Sequence, residues 1–279
     1  MNGAIIQVRT KSERLPGKAL MPVLQAKGWN MTDCIIHGLS EVNGLDKIII
    51  ATTTGKSDDE LAEYVRKKYK RDAILFRGDE KDVLKRFYMA AKQEKLNTII
   101  RITGDNPCLD VSLIEKILKK FLKSGRDYIS TIRYPLGFNV EILSFNALEK
   151  CYKEAKLVRD REHVTSYIYT HPKKFRQKFI SAGRKYKSIS HLRLTVDSQA
   201  DYLLMRCIFD YFKNSGAPVG LKDILELYNK KPWLFEINSI AYQKRIFSNT
   251  IDELKYAIGI LEKLELNTSA KMLQKALNK

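Results

Sequence analysis

"GAIIQVRTKSERLPGKAL", residues 3–20, governs how the rest of the chain is read. Ala4-Ile5-Ile6 is an apolar run of the kind that forms a strand buried on both faces, the habit of parallel sheets covered by helices. Four cations follow at once, Arg9, Lys11, Arg14 and Lys18, set around a Pro16-Gly17 bend. A solvated loop can carry such a set by chance. A loop that cradles a polyphosphate requires it, because guanidinium groups fork onto phosphate oxygens and a lysine adds a compact charge.

Outward from this stretch the first 130 residues alternate β-rich and helix-period segments. "KIIIAT" (47–52), "AILF" (73–76), "TIIRIT" (98–103) and "YISTI" (128–132) read as strands. "MTDCIIHGLSEV" (31–42), "SDDELAEYVRKKYK" (57–70), "KDVLKRFYMAAKQEK" (81–95) and "VSLIEKILKKFLKS" (111–124) read as helices. The alternation predicts a parallel sheet with crossovers on both faces. Ser57-Asp58-Asp59-Glu60 and Asp110 suit helix N-caps.

After Pro135 the pattern changes. "GFNVEILSF" (137–145) and "HLRLTV" (191–196) read as strands that would make the sheet mixed. "NALEKCYKEA" (146–155), "REHVTSYIYTH" (161–171) and "QADYLLMRCIFDYF" (199–212) read as helices. Beyond residue 215 the chain reads as mainly helical and closes on a hairpin of "TIDELKYAIGILEKLEL" (250–266) and "SAKMLQKALNK" (269–279). The expected division is a main domain, 1–240, and a helical extension, 241–279.

Composition bounds the function. The formal charge of +18 favours anionic partners, but much of the excess lies in runs such as "VRKKYKR" and "KILKKFLK", where lysines solvate outer helix faces. Only "HPKKFRQKFISAGRKYK" (171–187) interleaves aromatics with cations as a single-strand binder would, so nucleic acid is not the expected partner. Cys34, Cys108, Cys151 and Cys207 lack any CxxC spacing or histidine partner and read as reduced, part-buried residues. Without a signal-peptide pattern or a run of about 18 apolar residues, the expectation is a soluble, cytoplasmic chain with no membrane segment.

In open parallel sheets ligands bind beyond the carboxyl ends of strands. The basic loop, "ATTTGKSDD" (51–59), "FRGDEKDVLKRF" (76–87) and "RITGDNPCLD" (101–110) all fall there. "TGKS" is not a P-loop, since the motif needs Gly at position 50 and the chain has Ile50. Asp105, just past a strand, could reach a Mg²⁺ carried by substrate phosphates or could merely cap the turn closed by Asn106-Pro107. Asp197, at the end of "HLRLTV", could be a second metal ligand or the N-cap of the helix from Gln199. Lys18 is read as an exposed loop lysine that meets charge developing during phosphoryl transfer. The Phe87-Tyr88 pair reads as core rather than as a base-stacking platform.

Seven collinear stretches carry a family resemblance: "IIQVRTKSERLPGKAL", "IIIATTT", "FRGDEKDVLKRF", "RITGDNPCLD", "GFNVEILSFNALEK", "REHVTSYIYTHPKKF" and "LRLTVDSQADYLL". Over residues 4–240 they resemble, in order, the motifs of the cytidylyltransferase family typified by spore-coat polysaccharide biosynthesis protein F. They resemble more distantly the 3-deoxy-manno-octulosonate and N-acylneuraminate cytidylyltransferases. The resemblance implies an α/β, Rossmann-like nucleotidyltransferase fold: three layers, α/β/α, a mostly parallel mixed sheet, and here a helical C-terminal extension. It implies a Mg²⁺-dependent enzyme that joins CTP to a small acceptor, such as a sugar acid or a phosphate or phosphonate compound, and releases pyrophosphate, in cell-surface glycan or polysaccharide biosynthesis. It further implies a homodimer paired through about residues 135–170.

By motif, Lys18, Arg14 and Asp105 would be catalytic, Arg9 and Ser12 would help hold the triphosphate, and Asp105 and Asp197 would bind Mg²⁺. Ala51, Asp79, Asp82 and Arg86 would surround the nucleoside, with Arg101 supporting the site. Asn139, Glu141, Arg161, Glu162 and His163 would face the acceptor, although Arg161, Glu162 and His163 could equally build a polar network or a dimer contact. Two other functions stay open: a sugar-1-phosphate nucleotidylyltransferase using another nucleotide, and a basic RNA- or polymer-binding protein on a degenerate transferase fold. Intact Arg14, Lys18, Asp105 and Asp197 weigh against the second.

Overall fold

The computed structural model describes residues 1–12, 14–239 and 250–277. Contacts divide the chain into two compact units, Met1–Ala241 and Tyr242–Lys279. The expected domain boundary at 240/241 and the last two residues of "SAKMLQKALNK" lie outside the described residues.

Strand β1 (Asn2–Gln7) is the pivot of a seven-stranded sheet. Its side chains alternate between two cores as the strand period requires. Ala4 and Ile6 join Ile48, Ile50, Ile100 and Ile102 on one face, whereas Ile5 joins Ile49, Ile99 and Leu143 on the other. A hairpin of β2 (Pro22–Leu24) and β3 (Trp29–Asn30) follows and leads into α1 (Met31–Ser40). Next come β4 (Lys47–Thr53), α2 (Asp59–Lys68), β5 (Ile74–Gly78), α3 (Val83–Gln93), β6 (Thr98–Thr103), α4 (Val111–Ser124) and β7 (Tyr128–Ile132). The second half adds β8 (Glu141–Ser144), α5 (Phe145–Glu154), α6 (Val158–Glu162), α7 (Ser166–Thr170), β9 (Gln177–Ser181), α8 (Gln199–Tyr211) and α9 (Leu221–Lys230).

The sheet order is β5-β4-β1-β6-β8-β7-β9, parallel except that β8 runs against both neighbours. Residues of α3, α5 and α7 build the Ile5 core, and residues of α1, α2, α4, α8 and α9 build the Ile6 core. This is the expected three-layer, mostly parallel mixed sheet. Phe87 and Tyr88 are buried core residues. In the second unit α10 (Thr250–Lys263) and α11 (Asn267–Leu277) pack on each other, which supplies the expected helical extension. Among the described residues no helix is long and apolar enough to cross a membrane.

Helix α4 illustrates how local signals set an element. Asp110 accepts from the Leu113 N–H at 2.7 Å, Gly125 ends the helix at φ 58°, and Leu113, Ile114, Ile117, Leu118 and Phe121 are buried at helical spacing. Burying each such side chain contributes about 1.5–3 kcal/mol.

Two expectations need correction, and one strand is added. "HLRLTV" is not a strand: a single bridge pairs Arg193 with Leu136, and backbone bonds from Leu194 to Leu136 and from Val196 to Asp105 stitch the segment to two loops. "REHVTSYIYTH" is broken, because α6 ends at Glu162 and α7 starts at Ser166. β9 lies within "HPKKFRQKFISAGRKYK", whose interleaved aromatics and cations carry no strand expectation of their own.

Gly137 lets the segment approach the loop between β7 and β8. Its φ is +111°, and a Cβ there would stand 2.6 Å from the Leu194 carbonyl oxygen. Gly137→Ala is therefore expected to lower stability by about 1–3 kcal/mol in urea denaturation, from strain that side-chain rotation cannot relieve.

Candidate active site

The carboxyl ends of β1 and β6 and the segment before α8 converge on one lysine. Gly17, at φ 71°, turns the basic loop, and the Gly17 N–H donates to the Thr10 carbonyl at 2.9 Å, which closes the bend. Lys18 follows and points inward. Its Nζ lies 2.9 Å from Asp197 Oδ1, 3.7 Å from Asp105 Oδ2 and 2.7 Å from the Val196 carbonyl. The Lys18 side chain is only 13% exposed, so it is not the exposed loop lysine expected. Arg14, Arg9 and Lys11 are exposed. Arg14 nonetheless reaches Asp197 Oδ2 at 3.1 Å. Ser12 Oγ accepts from the Leu15 N–H at 3.3 Å and so shapes the bend.

Asp197 does not cap α8; Ser198 does, in a capping box with Asp201. Asp197 is thereby left for Lys18, Arg14 and Arg193, the last at 2.9 Å. Burial alone would raise its carboxyl, but the Lys18 hydrogen bond and the charges of Lys18, Arg14 and Arg193 hold it below the usual carboxylate range. Asp201, almost wholly buried, fixes Arg193 from the other side at 2.9 Å. Three cations thus face three carboxylates, Asp105, Asp197 and Asp201.

Asp105 and Asp197 suit a hard divalent cation. Both offer carboxylate oxygens around one ammonium, and Asp105 Oδ1 is buried with no hydrogen-bond partner. Among the described residues no group of three or more His, Cys, Asp or Glu side chains gathers as a metal cage. Two carboxylates with phosphate and water completing the shell is the usual arrangement for Mg²⁺.

A second cluster lies along the sheet. Arg101 on β6 is directly opposite Glu141 on β8, and the two form a salt bridge. Tyr128 and Thr165 also donate to Glu141, and Arg101 donates to Gln7 at 3.1 Å. Burial would raise the Glu141 carboxyl, but the Arg101 charge and these donors hold it below the usual range.

A third group flanks the start of α3. Asp79 Oδ1 accepts from the backbone of Lys81 and Asp82, and Asp82 caps α3. Arg161 on α6 pairs with Asp82 and donates to the Tyr152 carbonyl, which ties α6 to α3. Arg86, 2% exposed, donates to the Asp79 carbonyl. Burial and the charge of Arg9 push its guanidinium down.

The other expected residues are dispersed. Ala51 lies wholly inside the core, its carbonyl approached by the Val8 N–H. Asn139 is exposed and donates to the Thr131 carbonyl, Glu162 is exposed, and half-buried His163 closes α6.

The cytidylyltransferase family profile matches residues 3–253. The chain belongs to this family. It is 38% identical over 240 residues to an uncharacterized protein of Methanocaldococcus jannaschii, covering 86% of this chain and 95% of that one. It is 32% identical over 234 residues to spore coat polysaccharide biosynthesis protein SpsF of Bacillus subtilis, covering 82% and 94%. Among solved structures, a cytidylyltransferase from Leptospira borgpetersenii serovar Hardjo-bovis superposes with TM-score 0.75 at 25% identity, covering 88% of this chain and 98% of that one. Gln7, Tyr128, Thr165, Arg193 and Asp201 were not singled out from the sequence. Arg193 stood inside a quoted motif, and its i, i+4 and i+8 relation to Asp197 and Asp201 was the available signal.

Because Asp197 and Glu141 titrate lower folded than unfolded, the stability they contribute is full above about pH 5 and is lost as pH falls through about 4 and below. In urea melts the deficit of Asp197→Asn against the parent should be largest near pH 7 and shrink on acidification. A deficit independent of pH would contradict the ion-paired assignment.

Proposed function

We propose that the chain is a cytidylyltransferase that transfers the cytidylyl group of CTP to a small acceptor. An acceptor oxygen attacks the α-phosphorus in line as the bond to the β-phosphate oxygen breaks, and pyrophosphate leaves with its charge. The single observation that carries this reading is Lys18 between Asp105 and Asp197, beside the basic loop at the carboxyl edge of the sheet. Family membership and the likeness to the Leptospira cytidylyltransferase support it.

In this reading Arg9, Lys11 and Arg14 receive the triphosphate, and Ser12 holds the bend. Lys18 passes from its carboxylates to the phosphate oxygens, where it neutralises charge on the departing pyrophosphate. Asp105 and Asp197 would hold Mg²⁺, which when bound neutralises phosphate charge beside the two carboxylates. Asp79, Asp82 and Arg86 are assigned to the nucleoside with Arg101 in support, Glu141 and Asn139 to the acceptor, and Arg161, bound to Asp82, to the polar network between α3 and α6. Asp197 and Glu141 are held ionised by cations and are therefore weak bases. The likeness to SpsF supports a place in surface polysaccharide synthesis.

The test is pyrophosphate release with each nucleoside triphosphate against sugar acids, sugar phosphates and phosphonates. CTP with Mg²⁺ should exceed UTP, ATP and GTP, and equal rates with all four would remove the cytidine assignment. Lys18→Ala should lower turnover about 10²–10³-fold. Unchanged turnover would remove Lys18 from the chemistry.

The same reading includes a homodimer paired through residues 135–170. Leu157 and Val158 are 60% and 81% exposed there, apolar surface that pairing would cover. Light scattering at micromolar concentration should give twice the chain mass, and Leu157→Asp with Val158→Asp should give the monomer. A monomeric parent would rule the pairing out.

A further inference from the structure

Asp58 occupies the N-cap position of α2 but makes no side-chain hydrogen bond to its own helix. An N-cap aspartate ordinarily accepts from the first turn, and forgoing that contact weakens the start of the helix. Here the carboxylate, 1% exposed, is turned toward two other segments. Oδ1 accepts from the Thr10 N–H at 2.7 Å and lies 2.7 Å from Thr10 Oγ1. Oδ2 accepts from the Thr53 N–H at 3.1 Å and from Thr53 Oγ1 at 2.5 Å. Thr10 Oγ1 also reaches the Ser57 carbonyl at 2.5 Å, so its one proton is shared.

Thr10 stands between Arg9 and Lys11, and its carbonyl accepts from the Gly17 N–H, next to Lys18. The carboxylate therefore holds the residue whose carbonyl closes the bend of the basic loop. Burial opposes its ionisation, yet the donors from Thr10 and Thr53 keep it below the usual carboxylate range.

We propose that Asp58 is a positioning residue for the nucleotide site, latching the basic loop after β1 to the end of β4 so that Arg9, Lys11 and Lys18 are placed before any nucleotide arrives. The proposal rests on the cytidylyltransferase reading for what the loop binds, but not for the latch itself. A polyphosphate then meets cations that are already ordered, and little loop entropy is lost on binding. A helix-capping aspartate would predict none of this.

The test is Asp58→Asn, with Thr10→Val as the milder variant that keeps the Thr10 N–H contact. Each Asp58 oxygen accepts from a backbone N–H, so whichever way the amide turns, one N–H faces an NH₂ group. Hydrogen exchange of peptides spanning residues 8–20 should quicken about ten- to hundredfold in Asp58→Asn and less in Thr10→Val, with α4 and α8 unchanged. Affinity for tripolyphosphate should fall by a similar factor, and the KM for CTP should rise while the acceptor KM holds. Parental exchange over 8–20, or a uniform rise across the whole sheet, would overturn the proposal. Should Asp58→Asn fail to fold, Thr10→Val alone decides by the same exchange criterion. Absence of pyrophosphate release by the parent with every nucleotide would refute the function, while the exchange measurement would still judge the latch.

Discussion

One ammonium group holds the edge of the sheet together. Lys18 reaches Asp197 across 179 positions of sequence and Asp105 at the end of the neighbouring strand, so three loops meet at one charge. The pairs are largely screened from water, where Coulombic attraction exceeds that of a surface pair. The same burial makes the arrangement conditional: without the lysine, two partly buried carboxylates would repel. A ligand that draws Lys18 away must therefore bring positive charge of its own to the aspartates, which is what a phosphate carrying a divalent cation does.

The reversed strand β8 supplies the second constraint. Entering antiparallel between β6 and β7, it sets Glu141 directly opposite Arg101. A buried ion pair adds little net stability, but breaking it leaves a stranded charge, so Tyr128, Thr165 and Gln7 satisfy the remaining positions and fix one geometry. The polar surface beside the Lys18 cluster is consequently rigid, set by strands rather than by loops.

Charge is distributed by element. On α2 and α4 the cations Arg66, Lys67, Lys116, Lys119 and Lys120 are exposed on faces opposite the buried Leu61, Val65, Ile117 and Phe121, and they solvate helices. The cations of residues 9–18 instead crowd one bend, and Asp58, Asp105 and Asp197 are the carboxylates that hold it. A large net charge thus serves two unrelated purposes, and position in the fold separates them.

The sequence by itself determined the main strands and helices of the first 130 residues, though not the short β2–β3 hairpin, since each of the longer elements carries its own period and several carry their own caps, as Asp110 does. It also determined the family, and it marked Lys18, Asp105, Asp197, Arg101 and Glu141, because short motifs keep their residues in order along the chain. Tertiary structure alone decided how those residues pair. Long-range ion pairs leave no periodic trace, so nothing local told that Arg161 would meet Asp82, or that Asp58 would abandon its helix for Thr10 and Thr53. "HLRLTV" failed as a strand for the same reason: its apolar alternation was real, but the hydrogen bonds that would complete a ladder were taken up by Leu136 and Asp105, and only the folded chain brings those two together.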